Sequence, residues 1–240
     1  MNALTKVPPR PRSPYGHATV LGVHGAAGTT GWKAFYTRRE LESATEAVEW
    51  ATLPPGGVSG EHRHTRTEEI YLILDGTGEF FLNGIPHQVS PGSLALTTPG
   101  NTHGLRNTGT TTLNWWVIET LTRHTQNCLA GTHHTERSPM PASIHNLHAT
   151  PRVVTQGTFD GPLTAIERHT LAPGQSLSIG KTGAEIAGFL NTGSATLSFA
   201  DTTATIDAPT SFLVPSGSPA TVTADTDVEL FAVELRTPGS

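Results

Sequence analysis

Gly60-Glu61-His62-Arg63-His64-Thr65-Arg66-Thr67-Glu68-Glu69 opens the stretch that decides the fold, and Thr98-Pro99-Gly100-Asn101-Thr102-His103-Gly104-Leu105-Arg106-Asn107 closes it. In an extended strand, residues two apart face the same side. His62 and His64 therefore share a face, and Arg63 points away. Glu69 begins the next strand on a face shared with Tyr71 and Ile73. His103 follows a Pro-Gly turn and shares a face with Leu105 and Asn107. A small closed barrel would bring these strand ends to one point inside it. Three imidazoles and one carboxylate suit a divalent transition ion. The expected metal ligands are His62, His64, Glu69 and His103.

Outward from this stretch, the chain reads as short strands separated by turns. Ala47–Leu53, Ile70–Leu74, Glu79–Leu82, His87–Val89, Leu94–Thr97 and Leu113–Thr120 are strand segments, and Asn83-Gly84 is a hairpin turn. Turns this frequent, with 25 Gly and 18 Pro in 240 residues, indicate an all-β sandwich or barrel. His17–Gly25 reads as a further strand, and 41–47 as a helical turn or loop. The Pro- and Arg-rich head, residues 1–15, reads as frayed. Arg123–Pro151 breaks the pattern and reads as a linker, with His124, His133, His134, His145 and His148 as solvated loop residues.

Beyond that linker the chain repeats itself. Ala47-Val48-Glu49-Trp50-Ala51-Thr52-Leu53-Pro54-Pro55-Gly56 matches Ala165-Ile166-Glu167-Arg168-His169-Thr170-Leu171-Ala172-Pro173-Gly174, at an offset of 165 − 47 = 118. The Pro99-Gly100 turn recurs near Gly217, at 217 − 100 = 117. Two copies of one fold follow. The ligand positions do not recur: His62 falls on Gly180, His64 on Thr182, Glu69 on Ile186 and His103 on Ala220. The second copy keeps the turns and lacks the chemistry.

These spacings resemble the cupins. The family's first motif has Gly, five residues, His-x-His, three or four residues, Glu, six residues, Gly. Here that is Gly56, His62, His64, Glu69 and Gly76. Glu68 would satisfy the shorter interval, but only Glu69 leaves six residues before Gly76. The second motif is matched by Gly92, Thr98-Pro99-Gly100, His103 and Asn107, with Thr98 where the family usually has Pro. The resemblance implies two tandem cupin barrels, of the double-stranded β-helix or jelly-roll kind. Residues 1–122 form the metal-bearing barrel, 123–150 a His- and Pro-rich linker, and 151–240 a degenerate barrel.

Fe(II) is the metal the resemblance favours, because oxygen chemistry is common among cupins; Mn, Ni, Cu and Zn stay open on ligand type. Three functions remain. The first is an Fe(II) dioxygenase or oxidoreductase acting on a metal-chelating small molecule, with dioxygen as co-substrate. The second is a redox-neutral isomerase, cyclase or lyase. The third is a small-molecule binder without turnover. Tyr71 is the candidate proton donor, with packing in the barrel as the alternative. Of the adjacent pair Trp115 and Trp116, one faces the barrel interior. Arg106 faces solvent, and Asn107 pins a turn.

The net charge of −5 offers no electrostatic support for nucleic-acid binding. No apolar run is long enough to span a membrane. The single cysteine, Cys128, points to a reducing compartment, and a cytoplasmic protein is expected. Two barrels in one chain mimic a dimer, so monomer and homodimer are both open.

Overall fold

The structure is a computed structural model that describes residues 10–132, 141–200 and 202–239. Strands dominate it. β1 (Ala18–Leu21), β2 (Thr29–Thr37), β3 (Thr45–Leu53), β4 (Val58–Arg63) and β5 (Thr67–Asp75) open the chain. β6 (Gly78–Leu82), β7 (Ile85–Val89), β8 (Ser93–Thr97), β9 (Thr102–Asn107) and β10 (Leu113–Leu121) complete the first barrel's wall. They form a sheet in the order β1-β2-β3-β10-β5-β8 and a smaller one in the order β4-β9-β6-β7. Every pairing is antiparallel, so alternate side chains can line one interior. Asn83 and Gly84 both take positive φ (53° and 76°), the two left-handed positions that the β6–β7 hairpin turn requires.

The second unit repeats this wiring. After β12 (Arg152–Val154) come β13 (Leu163–Leu171), β14 (Ser176–Ile179), β15 (Ala184–Thr192) and β16 (Ser194–Phe199). β17 (Thr202–Asp207), β18 (Thr210–Val214), β19 (Ala220–Ala224) and β20 (Val228–Arg236) follow. The sheet orders β12-β13-β20-β15-β18 and β14-β19-β16-β17 repeat β2-β3-β10-β5-β8 and β4-β9-β6-β7 of the first unit, and β1 has no counterpart among them.

β5 shows why both faces of its run Ile70-Tyr71-Leu72-Ile73-Leu74 are apolar. Tyr71 and Ile73 face the first barrel's interior, with Leu105, Leu113 and Trp115. Ile70, Leu72 and Leu74 face the other way, into a core shared with the second unit. That shared core joins Phe35 and Trp116 to Phe189, with ring centroids 6.0 and 5.6 Å apart. Trp115 is thus the interior member of its pair, and Trp116 the interface member.

Three sequence expectations are corrected. His17–Gly25 is not one strand: β1 ends at Leu21, and Val23–Gly25 is a 3₁₀ turn with His24 left-handed at φ 52°. The head is docked from Arg10 onward. Arg12 exchanges two backbone hydrogen bonds with Ser211 at the edge of β18, both 2.8 Å, and its side chain bonds Glu40 and the Phe35 carbonyl. The 123–150 stretch is no bare linker. It contains α1 (Arg123–Leu129), capped by the Thr122 hydroxyl accepting from Thr125 N–H, and β11 (Ser143–Asn146), which extends the first barrel's large sheet beside β8.

The histidines of this stretch are not all free in solvent. His145 Nε2 lies 2.9 Å from Ser143 Oγ, and His148 Nε2 lies 3.2 Å from Glu229 Oε1 of the second unit. His133 and His134 lie outside the described residues. No helix among the described residues is long and apolar enough to cross a membrane.

Candidate metal centre

β4, β5 and β9 deliver the predicted residues to one point. His62 and His103 are direct cross-strand partners on β4 and β9. His64 follows β4, and its backbone is tied to the β8–β9 turn: His64 N–H donates to Asn101 O and Gly100 N–H to His64 O. Glu69 sits on β5, opposite Thr97 of β8 and Glu119 of β10. His64, Glu69 and His103 are buried, and His62 is half-buried. One donor atom from each of the four lies within 4.8 Å of all the others.

The ring orientations explain this convergence. His103 Nε2 lies 3.1 Å from His62 Nε2, 3.2 Å from His64 Nε2 and 3.0 Å from Glu69 Oε2. His64 Nε2 is also 3.2 Å from Glu69 Oε2. The outward nitrogens are held by the frame. His62 Nδ1 faces the Gly60 carbonyl at 3.2 Å, so Nδ1 carries that ring's proton and Nε2 is bare. His64 Nδ1 lies 3.1 Å from Thr67 Oγ1, whose own proton goes to Glu119 Oε1 at 2.7 Å. Thr67 must therefore accept from His64 Nδ1–H, which leaves His64 Nε2 bare in the neutral ring. Thr97 Oγ1 holds His103 Nδ1 at 2.8 Å.

Internal hydrogen bonding cannot satisfy such a cluster. His103 Nε2 faces three acceptors and can carry one proton at most. Glu69 Oε2 is buried with no well-aligned hydrogen bond, despite two imidazole nitrogens close by. Lone pairs crowded on one point call for a cation. The spacing fits one: adjacent vertices of an octahedron with bonds of about 2.1 Å lie about 3.0 Å apart.

The electrostatics run the same way. Burial drives His62 down to about 4, helped by His103 and His24. Burial also opposes ionisation of Glu69, but His103 and His64 beside it outweigh burial and hold its carboxyl far below the ordinary range. Burial opposes the His64 cation too, and there Glu69 prevails and raises the group. The site thus presents an ionised carboxylate and a neutral His62, the forms a metal needs.

A cavity of about 540 Å³ opens beside this cluster. Tyr71 lies on its wall, buried, with its ring centroid 4.6 Å from that of His103. Burial first, then Glu69 and Glu49, raise the phenol well above its ordinary value. Trp115 and Val117 give the wall apolar surface. Arg106 is exposed, as expected, and Asn107 ties the β9 end by donating Nδ2 to Leu53 O and Thr111 O at 2.9 and 2.8 Å. A larger groove, about 1070 Å³, runs beside α1 between Arg123, Asp160 and Arg236, and brings no comparable donor set together among the described residues.

Sequence reasoning missed several wall residues. His24 stacks on His62, with centroids 3.5 Å apart and planes 13° from parallel. Its carbonyl lies so close over Gly60 that a Cβ there would clash with it. Glu49 and Trp32 also line the cavity, as do Thr67 and Glu119. The only trace of them in the sequence is the shared phase of Glu49 with Ala51 and Leu53.

The second unit supplies the contrast. Ile186 and Ala220, at the places of Glu69 and His103, lie in an apolar cluster with Ile179 and Val222. The corresponding cavity is about 200 Å³.

Residues 49–119 match the family model of the cupin domain. That stretch is a cupin domain. The chain is 28% identical over 99 residues to the oxalate-binding protein of Thermotoga maritima, a match covering 41% of this chain and 82% of that protein. In fold it is similar to salicylate 1,2-dioxygenase from Pseudoaminobacter salicylatoxidans, solved with gentisate. That likeness has a TM-score of 0.61 and 17% identity, over 80% of this chain and 68% of the other. Protein Ylba from E. coli is similar over 93% of this chain and 89% of its own, with a TM-score of 0.68 and 11% identity.

Proposed function

We propose that the first barrel binds one divalent transition ion through His62, His64, Glu69 and His103 and is a metal-dependent enzyme acting on a small chelating molecule. Fe(II)-dependent dioxygenation is the reaction class. The observation that carries this reading is the crowding of three Nε2 atoms and one carboxylate oxygen that their own protons cannot satisfy.

Four protein donors leave one or two places of an octahedral ion for small molecules. When bound, the ion supplies Lewis acidity and, as Fe(II), a meeting place for dioxygen and a chelated substrate. The chain supplies the rest. Gly60, Thr67 and Thr97 fix the three rings. Tyr71 keeps its proton at neutral pH and faces the cavity beside His103, so it donates to a developing anion on the substrate. Trp115 and Val117 keep water from that face. A reducing cytoplasmic setting suits both Fe(II) and the lone Cys128.

The protonated Tyr71 also favours a second reading, a redox-neutral isomerase, cyclase or lyase in which it delivers a proton. A binder without turnover is suggested by the name of the T. maritima relative.

The test is anaerobic purification, elemental analysis, and incubation with hydroxy acids, diketones and catechols with and without dioxygen. Oxygen uptake supports dioxygenation, and turnover without it supports the redox-neutral reading. His103→Ala should abolish metal loading. Native protein that takes up no metal under any loading condition overturns the reading.

A further inference from the structure

A second carboxylate stands on the cavity wall, away from the ligand cluster. Glu49 lies in the middle of β3, in phase with Ala51 and Leu53 and so turned toward the barrel interior. Across the sheet it is in register with Val117 of β10, which is in register with Tyr71 of β5. Two strand spacings put the Glu49 and Tyr71 backbones about 10 Å apart. That is the span of one ring with a short side arm. Burial raises the Glu49 carboxyl to about 7, and the Trp32 indole of β2, on the same cavity wall, works against that rise as a hydrogen-bond donor.

The twin barrel shows what this position ordinarily needs. Glu167 corresponds to Glu49 (167 − 49 = 118), and Glu234 to Glu119 (234 − 119 = 115). In the twin, Glu167 accepts from Arg152 Nε at 2.7 Å and lies 3.2 Å from His169 Nε2; Glu234 is 2.7 Å from Lys181 Nζ. Each acid there has a basic partner. Among the described residues Glu49 has no basic partner, and the Trp32 indole is the neighbour that favours its charge. The half-buried Glu49 carboxylate is thus open to a ligand, on the wall that Ala51, Trp115 and Val117 line, while Arg63 and Arg66 lie elsewhere on the same cavity.

We propose that Glu49 selects and positions the substrate by accepting a hydrogen bond from a hydroxyl or ammonium group at the end remote from the metal. This rests on the metal reading above. The substrate class is then a small organic molecule with a chelating head and a hydrogen-bond-donating tail. A tail carboxylate placed at Glu49 is disfavoured, since it would meet an acid there and not Arg63 or Arg66.

The test uses metal-loaded protein and two catechols, one with an aminoethyl tail and one with a carboxymethyl tail. Both share the chelating head, and binding is followed by optical or calorimetric titration without turnover. Because burial raises the Glu49 carboxyl to about 7, the comparison is made at about pH 8, where it is ionised. Native protein should there bind the aminoethyl compound at least roughly tenfold more tightly, the worth of one charge-assisted hydrogen bond. Glu49→Gln should keep its metal and lose that preference, and Trp32→Phe should weaken it. Equal affinities in native protein, a preference surviving in Glu49→Gln, or loss of metal from that variant would overturn the inference alone. Failure of native protein to take up metal would overturn the metal reading and this one with it.

Discussion

Glu68 of β5 and Glu185 of β15 hold the same place in the two barrels, at 185 − 68 = 117, and each reaches into the other barrel. Glu68 accepts from the backbone N–H groups of Asp160 and Gly161 at 2.7 and 2.9 Å. Glu185 accepts from those of Glu42 and Ser43, both at 2.9 Å, and from the Ser43 hydroxyl at 2.5 Å. The clamped loops correspond as well, since 160 − 42 = 161 − 43 = 118. The contact is reciprocal, as in a two-fold dimer interface, within a single chain.

Removing either clamp leaves two backbone donors without their partner. Glu185→Ala should cost roughly 3 kcal/mol of stability, and Glu68→Ala somewhat less, read from denaturant midpoints. Glu185 is the larger because it is fully buried and holds a third donor. A change within about 0.5 kcal/mol, typical of a neutral surface substitution, would show that the clamp does not hold the barrels together.

Glu69, one residue along and facing the other way, should behave differently. A ligand that binds only the folded state at a hundredfold excess over Kd adds about 2.7 kcal/mol. Zinc, or ferrous iron without oxygen, should therefore raise the melting temperature of native protein and of Glu68→Ala. The rise should vanish in Glu69→Gln, whose fold persists because the twin barrel stands with Ile186 at this place. A full metal-dependent rise in Glu69→Gln would remove Glu69 from the ligand set.

Thr67 and Thr97 aim two of the imidazoles. Thr67→Val breaks the line from His64 Nδ1 to Glu119, and Thr97→Val frees His103 Nδ1. Each should weaken metal binding by roughly tenfold to a hundredfold in competition with a chelator, without abolishing it. Unchanged affinity in both would mean the rings are held by packing alone.

Much of this was legible in the sequence because period-two alternation and ligand spacing are local. His62, His64, Glu69 and His103 needed only the phase of three strands. The choice of Glu69 over Glu68 came from one interval, and the structure gives Glu68 a different task at the interface. What stayed hidden depends on tertiary contact. His24 takes a left-handed conformation that its residue type does not announce. β11 is a strand only because the edge of β8 is there to pair with it. Glu49 looked like one more alternating residue, since only barrel closure shows which wall faces the cluster.

Glu229 provides a pH-dependent test of how the 123–150 stretch is tied down. Its carboxylate accepts from Arg168 Nε at 2.6 Å and Asn191 Nδ2 at 2.7 Å, and His148 Nε2 lies 3.2 Å away. Burial works to raise this carboxyl, but the Asn191 and Arg168 bonds and the nearby charges prevail and lower it from 4.5. A carboxyl lowered on folding adds stability above its unfolded value, and that stability is lost as pH falls through the folded value. Native protein should exceed Glu229→Gln in denaturant midpoint by a constant margin from neutral pH down to about 5, and the margin should shrink below about 4. Glu234, also lowered and held by Lys181 and Thr164, adds a decline of the same sign to both proteins and cancels in the comparison. A margin that persists undiminished to about pH 3 would mean that Glu229 acts through packing and not through its charge.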